Sequence, residues 1–203
     1  MPYWRLSGFY FFYFASLGAL LPYWGLYLKS QGYDITAIGN LMAIIMATKI
    51  ISPNIWGWIA DHTGRRMAIV RLGSLCAALA FVGVFFQDGF IWLAIVMMLF
   101  SFFWNAALPQ FEATTFYYLG DHTHRYSSIR LWGSIGFIAA VWVLGSVMQG
   151  QGIELLPWIL LGLFSAIWIN SLLVPEEAAG HLHLDHSPLR KIIFQPHVLG
   201  LLI

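Results

Sequence analysis

Six stretches of almost unbroken apolar residues, at 6–28, 37–58, 67–86, 90–118, 127–149 and 155–174, alternate with short polar breaks. About 20 such residues cross the ~30 Å hydrocarbon core of a bilayer as a helix. The breaks carry the turn formers and most of the charges: Lys29–Thr36, Ala60–Arg66, Gln87–Gly89, Leu119–Tyr126 and Gln149–Glu154. Where no water is available, a helix satisfies its own backbone groups. The pattern therefore predicts an all-α membrane protein, with a six-transmembrane-helix bundle over residues 1–174. The first run, Leu6–Leu28, is longer than the roughly 7–15 apolar residues of a secretory signal. No small-residue cleavage site follows it, so it reads as a retained helix.

After Pro175 comes the longest polar stretch, which ends at Lys191. Residues 175–191 read as a cytoplasmic central linker. Residues 192–203 (IIFQPHVLGLLI) turn apolar again. About a dozen residues are too few to span, so they read as the start of a truncated seventh span, with a second bundle expected beyond it.

Composition narrows the class. Sixty per cent of the residues are hydrophobic and 9% are charged, against roughly a quarter charged in soluble domains. The 17% aromatic content, with ten Trp, suits rings at both water–lipid boundaries. The net charge of +1 is spread thinly and gives no nucleic-acid footprint. The single cysteine, Cys76, excludes an intramolecular disulfide framework.

The placement of cations predicts the orientation. With the N-terminus in the cytoplasm, Arg5, Arg65, Arg66, Arg71, Arg125, Arg130, Arg190 and Lys191 fall on that side. Only Lys29 falls opposite, a strong positive-inside bias.

Within the runs, ionisable residues are the exceptions and carry the functional expectation. Lys49 lies eight residues before Gly57, ~12 Å along a helix and close to mid-membrane. A cation there suits an anionic substrate or a proton-responsive ion pair, and snorkelling toward the cytoplasm is the alternative. Glu112 is the only acid inside the six runs. Burial and a neighbouring cation act on a carboxylate in opposite senses, which makes its protonation switchable. Arg130, just across a short cytoplasmic break, is its natural partner. Counting apolar residues from Leu131 places Arg130 at the edge of its span rather than in the middle. Asn105 precedes Glu112 by seven residues and should share its face; Ser134 follows Arg130 by four and should do likewise. Gly133 and Gly136 are small enough for close helix contact. Tyr13 and Tyr23 offer hydroxyls in the first span, with packing an equal reading.

The break after the second run reads Gly57-Trp58-Ile59-Ala60-Asp61-His62-Thr63-Gly64-Arg65-Arg66. Asp61 lies at a helix C-terminus, where the macrodipole disfavours an anion, and so needs a cation. Arg65 is near enough to serve, and Gly64 permits the tight turn between them.

This segment resembles the G-x-L-x-D-R-x-G-R-[RK] signature of the major facilitator superfamily, with His62 where the pattern has Arg. The resemblance implies that Gly57, Asp61, Gly64, Arg65 and Arg66 form a loop that sets the balance between inward- and outward-open states. It also implies the N-terminal half of a twelve-helix fold with a 3+3 inverted repeat. Leu21-Pro22 and Leu108-Pro109, at similar places in the two triplets, agree with such a repeat. Pro109-Gln110-Phe111-Glu112, followed eighteen residues later by Arg130-Leu131-Trp132-Gly133-Ser134, is similar to the lactose permease branch, as is Leu21-Pro22-Tyr23-Trp24. There the matching Glu and Arg pair and bind sugar. Tyr126–Gly136 and the basic residue at 49 look closer to the phenylpropionate transporter family. The function so implied is a proton-coupled symporter of a small organic solute in the bacterial inner membrane. Its substrate would be an aromatic or small carboxylate, or a sugar or nucleoside. Its partners would be substrate, protons, lipid and the second six-helix half.

Two other classes compete with a transporter. Gly133-Ser134-Ile135-Gly136 hints at a nucleophilic serine, but no His or Lys inside the runs is placed to activate it. A non-transporting sensor or scaffold on the same bundle is the other. His181, His183, Asp185 and His186 offer metal-ligand chemistry, but no second cluster completes a site. Neither a metal nor a cofactor is expected.

Overall fold

A computed structural model describes residues 2–86 and 89–175. The expected linker at 175–191, its His181–His186 cluster and the seventh-span segment 192–203 lie outside the described residues, apart from Pro175.

The described residues form six α-helices, α1 (Tyr3–Ser30), α2 (Ile35–Thr63), α3 (Arg66–Phe81), α4 (Phe90–Leu119), α5 (Tyr126–Gln151) and α6 (Leu156–Leu173), with the run 67–86 ending in a 3₁₀ turn after Phe81. Short 3₁₀ turns follow α3, link α4 to α5 and precede α6. Among the described residues five helical stretches are long and apolar enough to cross a membrane, the fourth being the continuous Phe90–Met148. Asp34 caps α2, its carboxylate accepting from the Ala37 N–H at 2.9 Å. This satisfies one of the N–H groups that a helix start leaves without a partner. Pro22, Pro53 and Pro109 sit inside α1, α2 and α4, which neighbouring helices make tolerable in a membrane. Pro22 and Pro109 each lie nineteen residues after the first residue of their helix.

The packed pairs are α1 with α5, α2 with α4, α3 with α4, α1 with α6 and α3 with α6. Exchanging α1–α3 for α4–α6 in order maps this set onto itself. Two central helices, α1 and α4, meet through aromatic rings. Phe9 stacks on Phe111 at 3.7 Å between centroids, and Tyr13 stacks on Trp104 at 5.1 Å. Behind them Phe81 of α3 and Phe164 of α6 close on Phe100. Such ring pairs add about 0.5–1.5 kcal/mol each beyond their buried area.

The α1–α5 contact is closer still. A Cβ on Gly18 would stand 2.7 Å from the Phe137 carbonyl oxygen, and one on Gly136 would overlap the Phe11 carbonyl. Only glycine lets backbones approach this far, a recurrent device where lipid offers no hydrophobic drive between helices.

α2 buries one narrow stripe, Leu41, Ile45, Thr48 and Ser52, against α4. The seam there is polar: Thr48 Oγ1 donates to Ser101 Oγ at 2.8 Å, and Ser52 Oγ donates to the Phe102 carbonyl. Apolar side chains are also exposed along much of α2 and α5, including Ile50, Ile51, Ile55, Ile138 and Trp142. A face this apolar needs lipid or another helical surface against it.

The C-terminal end of α6 is tied down by three other helices. Arg71 of α3 donates to the carbonyls of Val174 (2.8 Å) and Ser171 (3.5 Å). Arg5 of α1 donates to Leu173 O (3.1 Å), and Tyr118 of α4 to Pro175 O (2.7 Å). Cations suit the partial negative charge of a helix C-terminus.

Candidate functional site

Glu112 and Arg130 come together between α4 and α5. Arg130 Nε lies 3.8 Å from Glu112 Oε1, and the two side chains keep 30% and 35% of their exposure. That distance is an ion pair without a hydrogen bond. The carboxylate takes its hydrogen bond from elsewhere: the Tyr126 hydroxyl donates to the same oxygen at 3.3 Å. One turn of α1 completes the surroundings. The Arg130 guanidinium lies 3.8 Å from the Phe14 ring centroid and 5.5 Å from that of Tyr10. Tyr10 itself donates to Thr115 Oγ1 at 3.3 Å.

The edge position of Arg130 along its helix is offset by where its side chain goes. Its Nη1 would be 2.8 Å from a Cβ on Gly133, so the guanidinium folds along α5 over the next turn. One turn is ~5.4 Å. Tyr126, Phe14 and Tyr10 were absent from the sequence-derived site. In a helix as aromatic as α1, no periodicity marks out the two rings that face an arginine.

Lys49 is exposed on α2 and makes no ion pair or side-chain hydrogen bond among the described residues. Asn105 is only 6% exposed. Its amide donates to Ser101 O at 2.8 Å and Thr48 Oγ1 at 3.4 Å, which places it in the α2–α4 seam. Ser134 is exposed on α5 with no hydrogen-bond partner among the described residues. Tyr13 is buried in the stack between Phe9 and Trp104. Tyr23 donates its hydroxyl to Val141 O at 2.8 Å, bridging α1 to α5. It borders a cavity of about 500 Å³ with Gly145 and Met148.

The α2–α3 turn departs from expectation at one point. Asp61 pairs with Arg66, Oδ1 to Nη2 at 3.0 Å, and not with Arg65. Arg65 is the residue before the first turn of α3, with non-helical backbone, whereas Arg66 is the first helical residue and reaches back across the turn. Gly64 adopts the left-handed conformation (φ +67°), and its N–H closes on Ala60 O at 2.9 Å. That is the usual reason for glycine at a helix end. His62 shares its Nδ1 with Trp58 O at 2.8 Å, its ring 4.2 Å from the Trp58 ring. Gly57 faces Gln110 of α4. Among the described residues no group of three or more His, Cys, Asp or Glu is placed to share a metal ion.

Comparison with known proteins places this geometry. The chain is 29% identical over 147 residues to the "Probable 3-phenylpropionic acid transporter" of Escherichia coli (strain K12), covering 70% of this chain and 36% of that protein. It is 28% identical over 138 residues to a maltose permease of Geobacillus stearothermophilus (68% and 35%). With transporter YwbF of Bacillus subtilis (strain 168) it shares 26% over 143 residues (70% and 36%). The matched segment thus spans little more than a third of each relative. In fold it matches the crystal structure of the nucleoside transporter NupG with a TM-score of 0.80 at 19% identity, over 100% of this chain and 51% of that one. A mutant of NupG gives 0.81 at 20% identity, over 91% and 47%. The model of the MFS_1 like family matches residues 3–203. This multi-pass membrane chain belongs to that family, within the major facilitator superfamily of transporters.

Proposed function

We propose that the chain forms the N-terminal six-span bundle of a secondary active transporter, a proton-coupled symporter of a small organic solute in the bacterial inner membrane. α4 and α5 each cross the membrane in this reading, with the N-terminus cytoplasmic. α1–α3 and α4–α6 form inverted repeats, and a second bundle faces the exposed flanks of α2 and α5. Substrate binds between the bundles near the midplane and the halves rock about it.

The observation that carries the reading is the Glu112–Arg130 pair: a membrane-embedded acid and base 3.8 Å apart, each about a third exposed. Glu112 is the proton-linked group and Arg130 the substrate contact. Lys49 holds an anionic group and makes a small or aromatic carboxylate the leading substrate class. Ser134, exposed one turn after Arg130, adds a hydroxyl to the site, whereas Asn105, Tyr13 and Tyr23 are engaged in contacts between helices and hold the helices that carry it. Similarity to a maltose permease and to NupG supports the second reading, a sugar or nucleoside. The loop Gly57, Asp61, Gly64, Arg65 and Arg66 sets the inward–outward balance.

The test is uptake by the complete protein in proteoliposomes under an imposed proton gradient, with labelled 3-phenylpropionate, maltose and uridine as probes. Glu112→Gln should abolish uphill accumulation while leaving counterflow. Accumulation that survives the substitution removes Glu112 from coupling.

A further inference from the structure

We propose that Phe14 and the missing side chain at Gly133 form a seat for the Arg130 guanidinium. The seat carries this arginine from the edge of α5 into the site and holds it short of Glu112. Phe14 and Gly133 are positioning residues, and the inference rests on the substrate-contact reading of Arg130.

Three observations converge. First, the guanidinium lies over Phe14, its central carbon 3.8 Å from the ring centroid, where a planar cation is held by the π face. Second, a Cβ on Gly133 would stand 2.8 Å from Arg130 Nη1 and 2.8 Å from Phe14 Cδ2. Glycine therefore leaves open the space that ring and guanidinium share. Third, the carboxylate nearby does not capture the guanidinium. Glu112 stays at 3.8 Å and accepts instead from Tyr126. An arginine free to swing would be expected to close on a carboxylate this near, since the bidentate geometry is its strongest pairing. Held on a ring by one face, it keeps N–H donors for another acceptor.

Gly133 is also distinct from its neighbour Gly136. The atoms that a methyl at 133 would meet first are side-chain atoms, Arg130 Nη1 at the tip of a flexible chain and Cδ2 and Cγ of the Phe14 ring, whereas at 136 they are Phe11 backbone atoms. Gly133→Ala should therefore keep the bundle folded and move only the guanidinium and the ring.

The test measures uptake kinetics of the complete transporter in proteoliposomes, using whichever of labelled 3-phenylpropionate, maltose or uridine it accumulates. Thermal melting of each variant runs alongside. Gly133→Ala and Phe14→Leu should raise KM about threefold to thirtyfold, the range of a cation–π contact, with Vmax and melting temperature little changed. Phe14→Tyr, which keeps the π face, should restore KM. Wild-type KM in both Gly133→Ala and Phe14→Leu, beside a defective Arg130→Ala, overturns the seat alone. So does a Phe14→Tyr protein as impaired as Phe14→Leu. An Arg130→Ala protein with unchanged KM overturns the site reading and the seat with it.

Discussion

Gly136 of α5 rests on the Phe11 carbonyl of α1 with no room for a methyl group between them. Gly18, one side of the same contact, meets the Phe137 carbonyl in the same way. Forcing a Cβ into such a contact costs about 1–3 kcal/mol. Gly136→Ala and Gly18→Ala should each lower the melting temperature of the purified protein, and Gly133→Ala should not. Equal melting of all three would mean that the α1–α5 approach is looser than the structure has it.

The polar seam between α2 and α4 makes a different prediction. Thr48, Ser101 and Asn105 are buried and hydrogen-bond to one another. Such bonds average about 0.6 kcal/mol in membranes. Asn105→Ala and Thr48→Val should each destabilise by about that amount, with a coupling energy in the double variant, since neighbours in one network are not additive. Full additivity would mean that Asn105 acts independently of the seam.

Arg65 and Arg66 should separate cleanly. Only Arg66 reaches Asp61, and both partners are more than a third exposed, so the pair contributes at most ~1 kcal/mol to stability. Arg66→Ala should match Asp61→Asn in its effect on transport rate, with melting almost unchanged. If Arg65→Ala is the variant that mimics Asp61→Asn, the pairing seen here is not the one used in transport.

Lys49 can be placed by chemistry. In a cysteine-free background of the complete protein, with Cys76 replaced by alanine, Lys49→Cys should react with a membrane-impermeant maleimide in at least one conformation. A cysteine at 49 sealed from both aqueous phases would put this position against lipid and end its role as an anion contact.

The legible and illegible parts of this molecule divide along one physical line. Helix positions follow from a solvent that forbids unpaired backbone, so counting apolar residues from Leu6 to Val174 suffices to find them. Lys49, Glu112 and Arg130 stand out because charge is costly in hydrocarbon. What the sequence withheld are contacts of orientation. Phe14 is one of sixteen phenylalanines, and nothing local says that its face meets an arginine. Arg65 and Arg66 differ only in which begins the helix. Asn105 shares a helical face with Glu112 on paper, yet a neighbouring helix covers one and leaves the other open. Two glycines three residues apart, both expected in helix contact, turn out to accommodate a side chain in one case and a backbone in the other.

The fastening at the end of α6 has a mechanical meaning. Arg5, Arg71 and Tyr118 grip the carbonyls of residues 171, 173, 174 and 175 from three separate helices. Residues 171–175 are therefore held at a set point, as a rope is held on a cleat. A force reaching Pro175 would load α1, α3 and α4 together and not α6 alone.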